Sequence, residues 1–182
     1  MVDTVRTLSA LLTQLFQDGQ DQGITAQDMR DMILSMRPPF GGQYMEDNAT
    51  GTALTLQDTW YKVAGTTSPA ETGWNVDNTT SSNRLVYTGA APRHFHIVSN
   101  LSVLCSSSNQ VLEFTWFKNG SKLPGLASLK IGTGSDIRAV SVHSDAMLSQ
   151  NDYVELYARN RSSAGTTLTV EDFYGFISGM IV

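Results

Sequence analysis

Charged residues are scarce in this sequence, and the shortage limits the partners that it can bind. Lys, Arg, Asp and Glu make up 16% of the 182 residues, against about 25% in an average globular chain. The formal net charge is −5, and the twelve Lys and Arg residues are scattered along the chain. Nucleic-acid binding depends on a clustered basic surface, so we expect no nucleic-acid partner.

Cysteine pairs, long apolar runs and a secretion signal are also missing. Cys105 is the only cysteine, which excludes a disulfide within the chain, and we expect it to be a small, partly buried residue. No apolar run reaches the roughly 20 residues that cross a bilayer, so we expect no membrane partner. The apolar segment near the start lacks a basic leader and a cleavage site. These observations predict a protein that is made and assembled in a cytoplasm.

The first 36 residues carry the spacing of two short amphipathic helices. The first helix ends at Asp18-Gly19. The second begins at Thr25, a favourable N-cap with Asp28 three positions later, and Pro38-Pro39 ends it. The apolar faces of the two helices consist of Leu8, Leu11, Leu12, Leu15 and Phe16, and of Met29, Met32, Ile33 and Met36.

Helices this short are not stable alone, so their apolar faces must pack on another surface. Methionine adapts to a partner surface, which favours an anchoring or oligomerising arm over residues 1–37. A helical hairpin that covers the β-domain of the same chain remains the alternative. Residues 38–52 are Gly-rich and predict a linker or an extended strap.

Residues 53–182 predict an antiparallel β-domain without helices. The clearest strand is HFHIVSNLSVL, in which Phe95 and Ile97 lie on one face and His94 and His96 on the other. Asn119-Gly120 between two apolar segments predicts a type I′ hairpin. Eight to ten such segments separated by turn residues predict a mainly β, antiparallel sandwich or jelly roll.

No group of residues predicts catalysis or a cofactor. His94 and His96 lie about 6.5–7 Å apart along one strand face, but no cysteine or acidic residue is near them in sequence, so we assign no metal. The acidic residues are spread over separate loops and strands, which gives no pair for glycoside hydrolysis. There is no nucleophile elbow and no Gly-rich phosphate loop. We therefore expect a protein that is not an enzyme and has no cofactor.

Four segments follow one another in a distinctive order along residues 84–182. They are HFHIVSNLSVL, FTWFKNGSKL, SQNDYVELYARN and FISGMIV. This order resembles the TNF/C1q-like jelly-roll knobs that are common in tailed-phage fibre and head-decoration proteins. The helix ITAQDMRDMILSM is similar to segments at the start of many phage fibre and head-fibre proteins. The chain departs from the pattern at RHFH, where a Gly-x-Tyr usually opens the long strand.

The resemblance implies a homotrimer in which the inner sheets of three jelly rolls pack around a threefold axis, with the last strand near it. It implies a virion structural protein, such as a capsid decoration protein, head fibre or tail fibre, anchored to a capsid, portal or tail protein. Aromatic side chains with polar tips suit such an interface; they could equally complete the core of one subunit. The interface candidates are Tyr153, Tyr157, Phe173, Tyr174 and Phe176.

A second hypothesis is a lectin-like module of the tail that binds glycan on a host surface. Its candidate ligand contacts are Trp60, Trp74 and Tyr87, since exposed aromatic rings stack on sugars. A hydrolase acting on host polysaccharide is a third hypothesis. A eukaryotic C1q/TNF-type ligand is a further one, against which the missing secretion signal argues.

Overall fold

The computed structural model describes residues 25–70, 73–79, 83–134 and 136–180. In this part of the chain one helix, α1 (Ala26–Met36), precedes thirteen strands. The strands are β1 (Phe40–Met45), β2 (Gly51–Leu54), β3 (Tyr61–Lys62), β4 (Ser68–Pro69), β5 (Val76–Thr79), β6 (Arg84–Tyr87), β7 (Arg93–Cys105), β8 (Gln110–Lys118), β9 (Ser121–Lys122), β10 (Ala127–Ile131), β11 (Arg138–Leu148), β12 (Tyr153–Asn160) and β13 (Thr166–Gly179).

The strands form two antiparallel sheets. The first sheet has the order β11-β7-β13-β1-β4, with β2 beside β13. The second has the order β10-β8-β12-β6-β5, with β3 beside β12 and β9 beside β8. Their inner faces enclose one hydrophobic core. The predicted antiparallel jelly-roll sandwich is confirmed.

The core is built from alternate residues of the long strands. In β7 the side chains of Phe95 and Ile97 are fully buried, whereas those of His94 and His96 are exposed, as the alternation in the sequence predicts. Trp116 of β8 is also fully buried and packs across the core against Phe173 of β13 in the first sheet. Cys105 lies at the end of β7 inside the core as a free thiol.

Local sequence signals form the elements that they predict. Thr25 caps α1: its hydroxyl accepts a hydrogen bond from the Asp28 amide, and the Asp28 carboxylate accepts one from the Thr25 amide. Asn119 and Gly120 both have positive φ, as a type I′ hairpin requires. The predicted first helix, including Leu8 to Phe16, lies outside the described residues. Among the described residues, no helix is long and apolar enough to cross a membrane.

Part of residues 38–52, predicted as a linker or an extended strap, is extended backbone that belongs to the first sheet. Phe40–Met45 is a full strand of the first sheet and pairs with β13 along its whole length. The glycines permit close packing here rather than flexibility: a Cβ on Gly41 would lie 2.6 Å from Val76 Cγ1, and one on Gly42 would lie 3.1 Å from the Gly175 carbonyl oxygen. The β-domain therefore begins at β1.

The carboxylate of Asp152 connects the turn at Ser149 to the hairpin at Asn119, at one end of the second sheet. Asp152 Oδ2 accepts a hydrogen bond from the Ser149 amide at 2.8 Å and pairs with Lys118 Nζ at 2.8 Å. Its Oδ1 accepts one from Asn119 Nδ2 at 2.6 Å. Burial alone would raise the pKa of Asp152, but these bonds, that of Lys118 first, outweigh it and hold the pKa below its usual range.

We expect Asp152→Asn to lower the free energy of unfolding at pH 7 by about 1 kcal/mol. A depressed folded-state pKa gives stability that is present above the unfolded pKa of about 3.9 and is lost as the pH falls through the folded value. Urea denaturation at pH 7 and at pH 3, at one protein concentration, should show a larger difference from wild type at pH 7 than at pH 3. The control is Asp77→Asn at an exposed position of β5; an equal loss at both pH values would contradict the prediction.

Candidate functional site

The outer face of the second sheet is closed by ion pairs within the chain. Glu155 points outward from β12, yet it is only 2% exposed. Its Oε1 accepts hydrogen bonds from Lys62 Nζ and from Arg84 Nε, the latter at 2.6 Å. The Arg84 guanidinium lies 4.0 Å from the centroid of the Tyr153 ring, and its hydrogen bond to Glu155 raises the pKa of Arg84. This carboxylate is therefore neutralised and covered by its own subunit.

An aromatic cluster continues the closed surface. Phe117 stacks on Tyr157 at 4.0 Å between ring centroids and meets Trp60 edge-on at 5.9 Å. Arg159 lies 4.6 Å above the Trp60 ring and pairs with Glu113 at 2.6 Å. Burial, and then the charge of Glu155, raises the pKa of Tyr157.

The middle of the outer face of the first sheet carries neutral, mainly aromatic side chains. Tyr44 of β1 lies opposite Tyr174 of β13, and Val98 of β7 lies opposite Phe176. Phe40 stacks on Phe176 at 6.4 Å. Tyr174 is 45% exposed. We call these five residues the aromatic face.

The aromatic face borders an open groove of about 610 Å³. Tyr44 and Tyr174 line it together with Asn100, and two carboxylates, those of Glu46 and Asp172, also line it. Neutral side chains make up most of the lining. The first sheet therefore presents a concave, mostly uncharged surface, unlike the charged and closed surface of the second.

Three polar residues meet beside the aromatic face. His96 on β7 lies opposite Asp145 on β11, and its Nδ1 lies 2.9 Å from Asp145 Oδ1. Its Nε2 lies 3.4 Å from Nδ1 of His143. Sequence reasoning paired His96 with His94 and missed His143 and Asp145, because the β7–β11 register that brings them together is not local. No group of three or more His, Cys, Asp or Glu residues positioned to hold a metal occurs among the described residues.

The predicted trimer-interface residues fall into three places. Tyr153 and Tyr157 lie on the outer face of the second sheet, in the closed surface. Tyr174 and Phe176 lie on the outer face of the first sheet. Phe173 is 4% exposed and packs on Trp116 in the core, so the alternative of a core role holds for it and the interface prediction is wrong there.

The predicted ligand contacts do not form one site. Tyr87 is 2% exposed, donates a hydrogen bond to the Ala91 carbonyl at 2.5 Å and packs edge-on against Phe95 at 4.9 Å. The prediction of a ligand contact is therefore wrong for Tyr87. Trp60 belongs to the aromatic cluster of the second sheet, whereas Trp74 pairs with Phe40 at the first sheet and lies 4.2 Å below the Arg37 guanidinium.

Helix α1 turns its apolar side outward. Met29, Ile33 and Met36 are 43%, 61% and 47% exposed, and Met32 is half-buried. The buried residues of the helix are polar, and one of them, Ser35, accepts a hydrogen bond through its carbonyl from Arg93 at 2.6 Å. The apolar stripe that the sequence predicts for an anchoring arm is thus left uncovered on this helix.

Comparison with known proteins gives the fold. No family model and no curated protein matches the sequence. The crystal structure of murine APRIL at pH 8.0 is similar to this chain, with a TM-score of 0.51 and 11% sequence identity. The match covers 78% of this chain and 98% of the APRIL chain. Murine APRIL at pH 5.0 matches with 10% identity over 76% and 98%, and a TM-score of 0.50. Eiger TNF from S. frugiperda is also matched, with 13% identity over 79% and 94%, at a TM-score of 0.47.

At these sequence identities the structural similarity shows the fold alone. The evidence for the fold is the similarity to the two APRIL structures. The β-domain is a TNF/C1q-like jelly roll, which confirms the fold that the resemblance implies.

The ion pairs on the outer face of the second sheet predict that removing the carboxylate of Glu155 destabilises the protein. Glu155→Gln removes the negative charge that Lys62 and Arg84 contact, and both are partly exposed, so water replaces part of what is lost. We expect the free energy of unfolding to fall by about 1–2 kcal/mol in urea denaturation. Glu171→Gln on the half-exposed part of β13 is the control and should change stability little. Equal effects of the two substitutions would contradict this account.

Proposed function

We propose that this protein is a homotrimeric display protein whose three jelly-roll knobs associate through the outer faces of their first sheets. The observation that carries the proposal is the contrast between the two sheets. On the second sheet the charged groups and aromatic rings contact one another within one chain, whereas the aromatic face of the first sheet is neutral, partly exposed and beside a groove. Uncharged aromatic surface is the composition of interface cores.

The position of the last long strand supports this choice of face. The TNF/C1q resemblance implies that the last strand lies near a threefold axis. Here that strand is β13, which lies inside the first sheet between β7 and β1. Tyr174 and Phe176 point outward from it, so they are the interface residues that we retain from the sequence. Tyr153 and Tyr157 belong to the other sheet and contribute to the stability of one knob instead.

We further propose that the trimer is a structural component of a phage virion, without enzymatic activity. The resemblance to fibre and decoration proteins supports this role, as does the uncovered apolar side of α1 beside a compact knob. Met29, Ile33 and Met36 would dock on a capsid, portal or tail protein. The knob would then be displayed from the particle as a decoration protein or a fibre.

The trimer is tested by light scattering after size exclusion. The full chain should have three times its mass of 19.8 kDa. Phe176→Glu should give the mass of a single chain, because an apolar contact does not accommodate an unpaired carboxylate. Val111→Glu is the matched control, since Val111 is a half-buried outer-face residue of the second sheet opposite Lys130. A single-chain mass for the wild type, or a trimer in Phe176→Glu with a native circular dichroism spectrum, would contradict the interface.

The arm is tested by removing residues 1–36, a cut that leaves β1 intact. The shortened chain should keep the trimer mass; a loss of the trimer would make the arm the oligomerising element. An antibody against residues 37–182 should label purified phage particles that carry the gene, in immunogold electron microscopy. Unlabelled particles, with all of the protein in the soluble fraction, would contradict the virion role.

A further inference from the structure

The histidine pair beside the aromatic face has a geometry suited to a metal ion. His96 and His143 are diagonal neighbours on adjacent antiparallel strands, two residue pairs apart in register, and their ring centroids are 5.4 Å apart. The Nε2 atom of His96 and the Nδ1 atom of His143 are separated by 3.4 Å. Two nitrogen ligands of one tetrahedral zinc ion, each bound at about 2.0–2.1 Å, lie about 3.3 Å apart.

We propose that His96 and His143 bind a divalent transition-metal ion of the Zn²⁺ or Cu²⁺ class. Imidazole nitrogen suits these ions, whereas Mg²⁺ and Ca²⁺ prefer oxygen ligands. The two rings lie on the long paired strands β7 and β11, so their backbones are already held in place. Both rings are on exposed positions, so they are free to turn toward a shared ion.

Asp145 acts as the positioning residue for this site. Its carboxylate lies 2.9 Å from Nδ1 of His96 and accepts the hydrogen bond of the protonated ring nitrogen. That arrangement leaves the lone pair of Nε2 on the side that faces His143. A carboxylate that orients a metal-binding histidine through its second nitrogen is a common arrangement in metal sites.

The remaining coordination positions are open to solvent in one chain. His96 and Asp145 are 46% and 65% exposed, so water has access to the ion. In a trimer formed through this face, groups of a second copy could take those positions. The site itself rests on the geometry of one chain and does not depend on the proposed trimer.

The test is isothermal titration calorimetry of the full-length chain, without a histidine tag, against ZnCl₂. We expect one site per chain, and a loss of affinity of at least about tenfold in His96→Ala and in His143→Ala. His94→Ala is the matched control, because His94 lies on the same strand face outside the pair, and it should bind as wild type. Asp145→Asn should weaken binding by about tenfold. MgCl₂ should give no binding signal.

Electron paramagnetic resonance of the Cu²⁺-loaded protein gives a second readout. The wild type should show couplings to two nitrogens, and His96→Ala and His143→Ala should each show one or none. Absence of Zn²⁺ binding in the wild type would mean that the imidazoles only hydrogen-bond to each other, and would overturn the proposal. Binding that survives His96→Gln/His143→Gln, or is lost in His94→Ala, would also overturn it. Light scattering with and without Zn²⁺ separates the two proposals: a single chain that binds Zn²⁺ keeps the metal site and removes the trimer.

Discussion

The β-bulge in β13 is the constraint on which both the core and the aromatic face depend. The pairing of β13 with β7 shifts between Val170 and Asp172. Side chains alternate along a strand, so one extra residue moves every later side chain to the opposite face. Val170 and Phe173 both enter the core although they are three residues apart. Without the bulge, Tyr174 and Phe176 would point into the sandwich and Phe173 out of it.

The same bulge explains why the sequence predicts some residues well and others poorly. In β7 the alternation runs without interruption, so its buried and exposed sides follow directly from the sequence. The capping box of α1 and the Asn119-Gly120 hairpin are equally local, and both form as predicted. The face on which Phe173 lies does not follow from local alternation, because the phase of its strand changes at a position that carries no distinctive residue.

Long-range pairing sets several further features that local sequence patterns do not show. The glycines before Tyr44 suggest a linker, yet they allow β1 to pack closely between its neighbours. Tyr153 and Tyr157 alternate with core residues along β12, as residues of an outer face do. However, β12 lies in the second sheet, whose outer face is occupied by ion pairs within the same chain. The contact between His96 and His143 depends on the register of β7 with β11. Each of these features is set by contacts that are distant in sequence.

The few charged residues are distributed unequally between the outer faces of the two sheets. Several of the charged side chains lie on the second sheet, where Glu155 and Glu113 are paired with Lys62, Arg84 and Arg159. Satisfied charges of this kind resist burial against a partner, because separating or desolvating them costs free energy. The first sheet has few charges to desolvate on its aromatic face, so association there meets a smaller penalty.

The placement of the histidine pair links the metal site to this face. His143 lies opposite Val98 of the aromatic face, which in turn lies opposite Phe176, and His96 is two residues before Val98 on β7, so the pair borders the aromatic face. A metal ion with open coordination positions at that point binds more tightly to an assembly that fills them. By linkage, the ion would then stabilise the assembly by the same factor. If groups of a second copy fill the open coordination positions of the ion, metal affinity and trimer stability therefore rise together. If water fills those positions, the two quantities are independent.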